Sequence, residues 1–263
     1  MASPSQKFWL IVARMWVGTA LIASAKAQTL KIDTVAVAPF GFYDQKGKPQ
    51  GMMYEIGNRI AEVADIPYKN TIVPYARSGQ DIGTGAADFC LRFSSPEMEK
   101  YALQLIPILS VPIISISARG TNYSTMADLS GKSVGIIRSS TFDAKFNSDP
   151  TIRRYEVNDY VQMIKMLEAG RLDAAAGSTI GLYYSAKTAN IDLRHFASPF
   201  VLSRNTFVLN FSRRSKRPET VAALRAAVTK LTSSGEINMI VDKYMGSHDW
   251  ALEYTGERRN QRD

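Results

Sequence analysis

Residues 38–62 read APFGFYDQKGKPQGMMYEIGNRIAE, and the fold follows from what they do. Pro39 has no amide proton to give to a sheet ladder, so a strand ends here. Phe40, Phe42 and Tyr43 then put three aromatic rings into four positions, beside a bend whose turn chemistry comes from Gly47, Pro49 and Gly51. From Met52 to Ala64 apolar residues recur at Met53, Ile56, Ile60 and Val63, the spacing of one buried helical face. A strand that ends in aromatics on a loop either plugs a core or walls a small-molecule site. These residues alone leave that choice open.

Upstream, Thr29–Ala38 reads as the strand that this stretch closes. The first 27 residues carry Lys7, Arg14 and Lys26 with no acid, an apolar or small run over Met15–Ala25, and then Ala25-Lys26-Ala27. That is the layout of a secretory signal segment, with cleavage expected after Ala27. Arg14 splits the apolar stretch and leaves it far short of the roughly 20 residues that span a bilayer. Losing this segment lowers the formal charge from +8 to +5.

With 45% hydrophobic and 21% charged residues, the 263-residue chain has the composition of a globular protein able to bury a sizeable core. Most of the basic excess in the remainder sits in short clusters, at Arg213, Arg214, Lys216 and Arg217 and at Arg258, Arg259 and Arg262, without interleaved aromatics. They read as solvated surface and argue against a nucleic-acid partner. Cys90 is the only cysteine, so no intrachain disulfide forms; in Ala-Asp-Phe-Cys-Leu it reads as a buried, inert thiol. His195 and His248 are the only histidines and have no ligand-spaced partner, so neither a metal nor another cofactor is expected.

Downstream, strands and helices alternate: a strand over 70–75, a glycine-containing helix from Arg77, a strand at Asp88–Phe93, and a capped helix start at Ser94-Ser95-Pro96-Glu97. This order argues a mostly parallel sheet flanked by helices. Residues 109–119, LSVPIISISAR, overshoot a normal strand. A second unit follows: the strand SVGII (133–137), the polar turn Ser139-Ser140-Thr141, a helix over 141–147, a strand near 152–157, a helix from Tyr160, the strand at 173–178 and a helix on TIGLYYSAKT. The run FVLSRNTFVLNFS (200–212) mirrors the first long one, and helices over 218–232 and 235–245 finish the chain. Two such crossings predict a discontinuous lobe (28–116 plus 206–246), a continuous lobe (119–202), and a mobile tail over 247–263. Lobes joined by two strands can hinge over a cleft. That arrangement favours the wall reading of the opening aromatics.

Six segments carry a resemblance over about residues 30–246. They are APFGFYDQKGKPQGMMYEI, TGAADF, SSPEMEKYA, ADLSGKSVGIIRSST, MLEAGRLDAAAGS and LTSSGEINMIVDKYMG, in this order. Together they resemble the family 3 extracellular solute-binding proteins, whose best-known members carry polar amino acids to ABC importers. The resemblance implies an α/β fold of the two-lobed periplasmic binding protein type (type II), each lobe a mostly parallel sheet flanked by helices, joined by two hinge strands. It implies a monomeric periplasmic protein with a small-molecule ligand and an ABC permease as partners, and no catalytic residue. Carried onto this sequence, the ligand-facing aromatics fall on Phe40, Phe42, Tyr43 and Tyr75, and Arg77 follows in PYAR. Ser139, Ser140 and Thr141 would offer hydroxyls and helix N-terminal amides to an anion. Ser94, at the start of the SSPEME step, is a further polar candidate.

Two positions depart from the family's amino-acid binders. Their Thr-Pro-Glu-Arg step, whose arginine pairs a ligand carboxylate, is here Ser95-Pro96-Glu97-Met98, and the acid that pairs the ammonium is here Ser178. Both departures argue against a standard α-amino acid, because an unpaired buried charge is costly. Arg92 either takes over from the missing arginine or is a surface residue. Two other functions share this fold: a sensory or redox-system accessory module, and a cyclohexadienyl-dehydratase-like enzyme. An enzyme needs a placed acid, and the nearest candidates, Glu97 and Asp143, sit at helix starts.

Overall fold

The computed structural model describes residues 29–246; the expected signal segment and the tail over 247–263 lie outside them. The first part of the chain forms β1 (Leu30–Val35), the hairpin β2 (Phe42–Tyr43) and β3 (Pro49–Gln50), α1 (Met52–Val63), β4 (Tyr68–Val73), α2 (Tyr75–Thr84), β5 (Phe89–Phe93) and the single turn α3 (Pro96–Glu99). The long strand β6 (Ala102–Ser117) leads to β7 (Ser133–Ile137), α4 (Ala144–Ser148), β8 (Arg153–Val157), α5 (Tyr160–Glu168), β9 (Ala174–Ser178) and α6 (Thr179–Thr188). The chain returns through β10 (Phe200–Ser212) to α7 (Val221–Ser233) and α8 (Glu236–Met245).

The strands make an eight-stranded sheet in the order β4-β1-β5-β10-β6-β9-β7-β8. Its two wings are parallel: β1 pairs with β4 and β5, and β7 with β8 and β9. The long antiparallel pair β6–β10 joins them. At 16 residues, β6 spans about 50 Å at the usual strand rise. Its early part faces the stretch of β10 that pairs with β5, and its last residues, Ile113–Ser117, pair with β9. The fold is therefore two-lobed, with two strands shared between lobes.

The first crossing begins at Ala102, seven residues before the β-branched run that announces it in the sequence. Pro107 conceals this earlier part, since a proline normally breaks a ladder. Pro107 is tolerated because it faces Val208 where β10 slips register on both sides.

The opening stretch explains its own geometry. The carbonyl of Pro39 accepts from Met52 N, and that of Phe40 accepts from Met53 N and Tyr54 N, so the loop satisfies the free amides of α1. Gly51 makes this approach possible: with φ 128, a Cβ there would lie 2.4 Å from the Phe40 carbonyl oxygen. The helix then buries Met52, Met53, Ile56 and Ile60, each worth about 2 kcal/mol of apolar transfer at most. Asp44 shapes the hairpin bend by accepting from Lys46 N and Lys48 N, and these bonds hold its carboxyl below the usual range.

Cys90 is fully buried, and burial pushes its thiol up to about 12. It packs with Ile82, Ala87, Met98 and Ala102 beneath α2 and α3. Met98 is thus a core side chain, 5% exposed.

Candidate functional site

A cleft opens where the strands of both wings end, outside their carboxyl ends, as expected for α/β sheets. From the first lobe come Phe40 (after β1), Tyr75 (after β4), and Arg92 and Phe93 (end of β5), with Phe207 of β10 behind them. From the second come Ile137, Ser140 and Phe142 (after β7) and Tyr160 (after β8). These side chains enclose an inner chamber in which the centres of water-sized molecules have about 40 Å³. An outer chamber of about 500 Å³ by the same measure shares Tyr75, Arg92 and Phe93 with it and runs along α2 past Gly79 and Gly83 toward Glu97, Ser139 and Thr141.

Arg92 stands at the junction. Its guanidinium carbon lies 3.9 Å from the Tyr75 ring centroid, a stacked cation–π contact. Nη1 donates to Ser78 Oγ at 3.1 Å and to the Tyr75 carbonyl at 3.3 Å. Nε is buried and has no hydrogen-bond partner. Gly79 leaves the space for this placement, because a Cβ there would sit 2.9 Å from Nη1. No ion pair to Arg92 occurs among the described residues. Arg92 is therefore a cation with an unsatisfied donor, and the inner chamber that it lines has no carboxylate among the described residues; Glu97 lines only the outer one.

Behind it, on the same side of the sheet, lies a buried acid pair. Asp33 opposes Cys90 across β1 and β5, and Asp81 of α2 is held by Arg77 Nε at 2.7 and 2.8 Å. Burial, then the charge and hydrogen bond of Asp81, push the Asp33 carboxyl up from its usual 3.8 to about 7, with Arg77 opposing.

Aromatic packing makes the walls. Phe207 packs between Phe93, at 4.1 Å between centroids, and Phe40, at 5.1 Å, with the rings tilted at 40° and 44°. Phe40 is 7% exposed, so it is core filler and cleft wall at once. On the opposite side, Tyr160 is buried and its hydroxyl accepts from Ser178 N at 3.3 Å. Gly177 and Gly181 are open beneath its ring: a Cβ at either would come within 2.4 or 2.2 Å of ring carbons. Burial raises the Tyr160 phenol above its ordinary range, although its Ser178 hydrogen bonds lower it.

Of the residues singled out from sequence, Phe40, Tyr75, Arg92 and Ser140 meet at the inner chamber, and Ser139 and Thr141 line the outer one. The others lie elsewhere. Phe42 packs against Tyr184 of α6 and Tyr244 of α8, each at 6.2 Å, and so bridges the lobes at the rim. Tyr43 is 55% exposed on the hairpin. Arg77 is engaged with Asp81. Ser94 donates to Gln104 Oε1 at 2.6 Å. Ser178, wholly buried behind Tyr160, caps α6 by accepting from Gly181 N.

The helix after the polar turn starts at Ala144, not at 141, and the helix-amide expectation changes with it. Asp143 caps it, accepting from Lys145 N and Phe146 N, so the chain's own carboxylate uses the amides expected for an anion. Ser140 Oγ donates to the Ile137 carbonyl at 2.6 Å. Phe93, Phe142, Tyr160 and Phe207 were not singled out from sequence as site residues. Their apolar periodicity marks them equally well as core.

Among the described residues no helix is long and apolar enough to cross a membrane, and no cluster of His, Cys, Asp and Glu suits a metal ion. The model of the bacterial extracellular solute-binding proteins, family 3, matches residues 30–247. No curated protein matches the chain. Among solved structures it is similar to the arginine-, lysine-, histidine-binding protein ArtJ from Geobacillus stearothermophilus, at 19% identity and TM-score 0.67, covering 84% of this chain and 96% of that one. It is similar to the GluR0 ligand-binding core from Nostoc punctiforme in complex with L-glutamate, at 17% identity and TM-score 0.70, covering 83% and 100%. A histidine kinase sensor domain with similarity to periplasmic binding proteins shares 18% identity at TM-score 0.72, covering 84% and 97%. At these identities the likeness establishes the fold alone.

Proposed function

Because the chain belongs to the bacterial extracellular solute-binding proteins of family 3, we propose that it captures a small organic anion between its lobes in the periplasm and delivers it to an ABC importer. The observation that carries this reading is Arg92: a guanidinium at the meeting of both chambers, stacked on Tyr75, with Nε buried and unpartnered. No ion pair among the described residues offsets this charge, and an anion that enters the cleft meets it and gains charge-assisted hydrogen bonds from the guanidinium. Phe40, Tyr75 and Ser140 complete the wall. The lobes, over 28–116 plus 206–246 and over 119–202, close about the β6–β10 pair, with Phe42 meeting Tyr184 at the rim. A sensory or accessory module would use the same capture step and differ in the partner that reads it.

The test is a thermal-shift panel of small organic anions, run on protein that has been unfolded and refolded to strip any retained solute. A ligand at 100 times its Kd stabilises the folded form by about 2.7 kcal/mol. Arg92→Met, which keeps the apolar stem and removes the charge, should abolish the shift. Shifts produced only by cations or neutral solutes, or kept in full by Arg92→Met, would refute the reading. Delivery is tested by solute uptake in cells lacking this protein.

A further inference from the structure

We propose that the solute is a monocarboxylate with a compact apolar tail and no ammonium group, its carboxylate on Arg92 and its tail in the inner chamber. This rests on the anion-capture reading above and adds the class of anion.

Size comes first. The inner chamber has about 40 Å³ for the centres of water-sized molecules. One water needs about 10–15 Å³ by that measure, so the chamber holds about three waters, room for the branched end of a short alkyl tail whose first carbons stay beside Arg92 at the junction with the outer chamber. Chemistry comes next. Its walls are the rings of Phe40, Tyr75, Phe142, Tyr160 and Phe207. Water held among such rings finds few partners, and an apolar tail displaces it favourably.

The same walls exclude an ammonium. No carboxylate is among the described residues lining the inner chamber; Glu97 belongs to the outer one and is solvent-exposed. Asp81, the acid of α2, is already held by Arg77. Ser140 Oγ is engaged with the Ile137 carbonyl, and the Tyr160 hydroxyl with Ser178 N. An ammonium in this chamber would lose its hydration, meet no anion but that of its own molecule, and be repelled by Arg92. The deepest polar position of the second lobe, Ser178, is sealed behind the Tyr160 ring, which the bare backbone at Gly177 and Gly181 allows to lie flat across it.

The experiment compares matched molecules by calorimetry on the refolded full protein: 4-methylpentanoate against L-leucine, which is the same skeleton with an α-ammonium. Propanoate, phenylacetate and succinate complete the set. We expect 4-methylpentanoate to bind about tenfold or more tighter than L-leucine, the ratio set by one uncompensated buried charge. It should also bind tighter than propanoate. Phe142→Ala, which opens the second-lobe wall, should weaken 4-methylpentanoate by a larger factor than propanoate, while circular dichroism confirms the fold. L-leucine binding as tightly as 4-methylpentanoate would overturn the exclusion of an ammonium. Succinate binding that is lost in Arg92→Met, with 4-methylpentanoate inert, would overturn the tail and leave the anion-capturing cleft standing. Failure of every anion would overturn both.

Discussion

Gly79→Ala separates stability from binding at a single methyl group. An added Cβ lies 2.9 Å from Arg92 Nη1 and meets nothing else closer than the guanidinium carbon at 4.0 Å. Ordinary van der Waals contact starts near 3.4 Å, so the guanidinium must retreat by about half an ångström. Its tip is the far end of a flexible side chain, and the fold itself is not obstructed. Gly79 lies inside α2, where alanine favours the helix by about 1 kcal/mol. The stretched Arg92 contacts offset this gain, so the unliganded variant should melt within a few degrees of the wild type. The retreat stretches the Nη1 bonds to Ser78 Oγ and the Tyr75 carbonyl and tilts the stack on Tyr75, which moves the guanidinium off the position an anion would meet. Losing one charge-assisted hydrogen bond of about 1.5 kcal/mol weakens binding about tenfold. Calorimetry gives Kd, and a melt without solute gives the stability. Unchanged affinity alongside unchanged or raised stability would refute the argument that Arg92, where it lies, holds the solute.

Two other perturbations follow from the packing. The folded protein holds the Asp33 proton more tightly than the unfolded chain does, with a carboxyl at about 7 against 3.8. The stability this supplies is complete below about pH 4 and is lost as pH rises through 7. Asp33→Asn, which never ionises, should flatten that decline and gain on wild type by up to a few kcal/mol between pH 4 and 8 in urea unfolding; parallel profiles would contradict it. Gly181→Ala puts a Cβ 2.2 Å from the buried Tyr160 ring, so urea unfolding should show a loss of about 1–3 kcal/mol or more. Stability equal to wild type would show that the ring does not lie against α6.

Much of the architecture is legible in the sequence because it is written in periodicity. The apolar face of α1 and the two β-branched runs that became β6 and β10 need no tertiary information to be seen. The first seven residues of β6 are hidden because Pro107 is acceptable only opposite the slipped register of Val208, a fact about a partner strand about 100 residues away. The start of α4 moves to Ala144 because Asp143 can satisfy its amides, whereas the serines and threonine before it stay in the turn. In the site, the ambiguity of Arg92 is of the same kind. Its sequence neighbours do not say whether a guanidinium at a strand end is solvated, and its burial is decided by Gly79, Ser78 and Tyr75 of a different element. Phe42 and Tyr43 share a stretch with Phe40, yet the hairpin turns them away from the chamber, because Asp44 folds the chain back immediately after them.

If closure of the two lobes holds the solute, the distance across the cleft shortens when solute binds. Spin labels on cysteines introduced at Lys46, on the exposed hairpin tip of the first lobe, and Thr188, at the exposed end of α6, straddle the rim where Phe42 meets Tyr184. The native Cys90 will not compete for label, since it is fully buried and its thiol sits at about 12. Pulsed dipolar spectroscopy of this pair, with and without an anion shown by calorimetry to saturate the protein, measures the closure. Solute should narrow the distance distribution and move it to shorter values, and Arg92→Met should leave it at the solute-free width. An unchanged distribution at saturation would contradict closure.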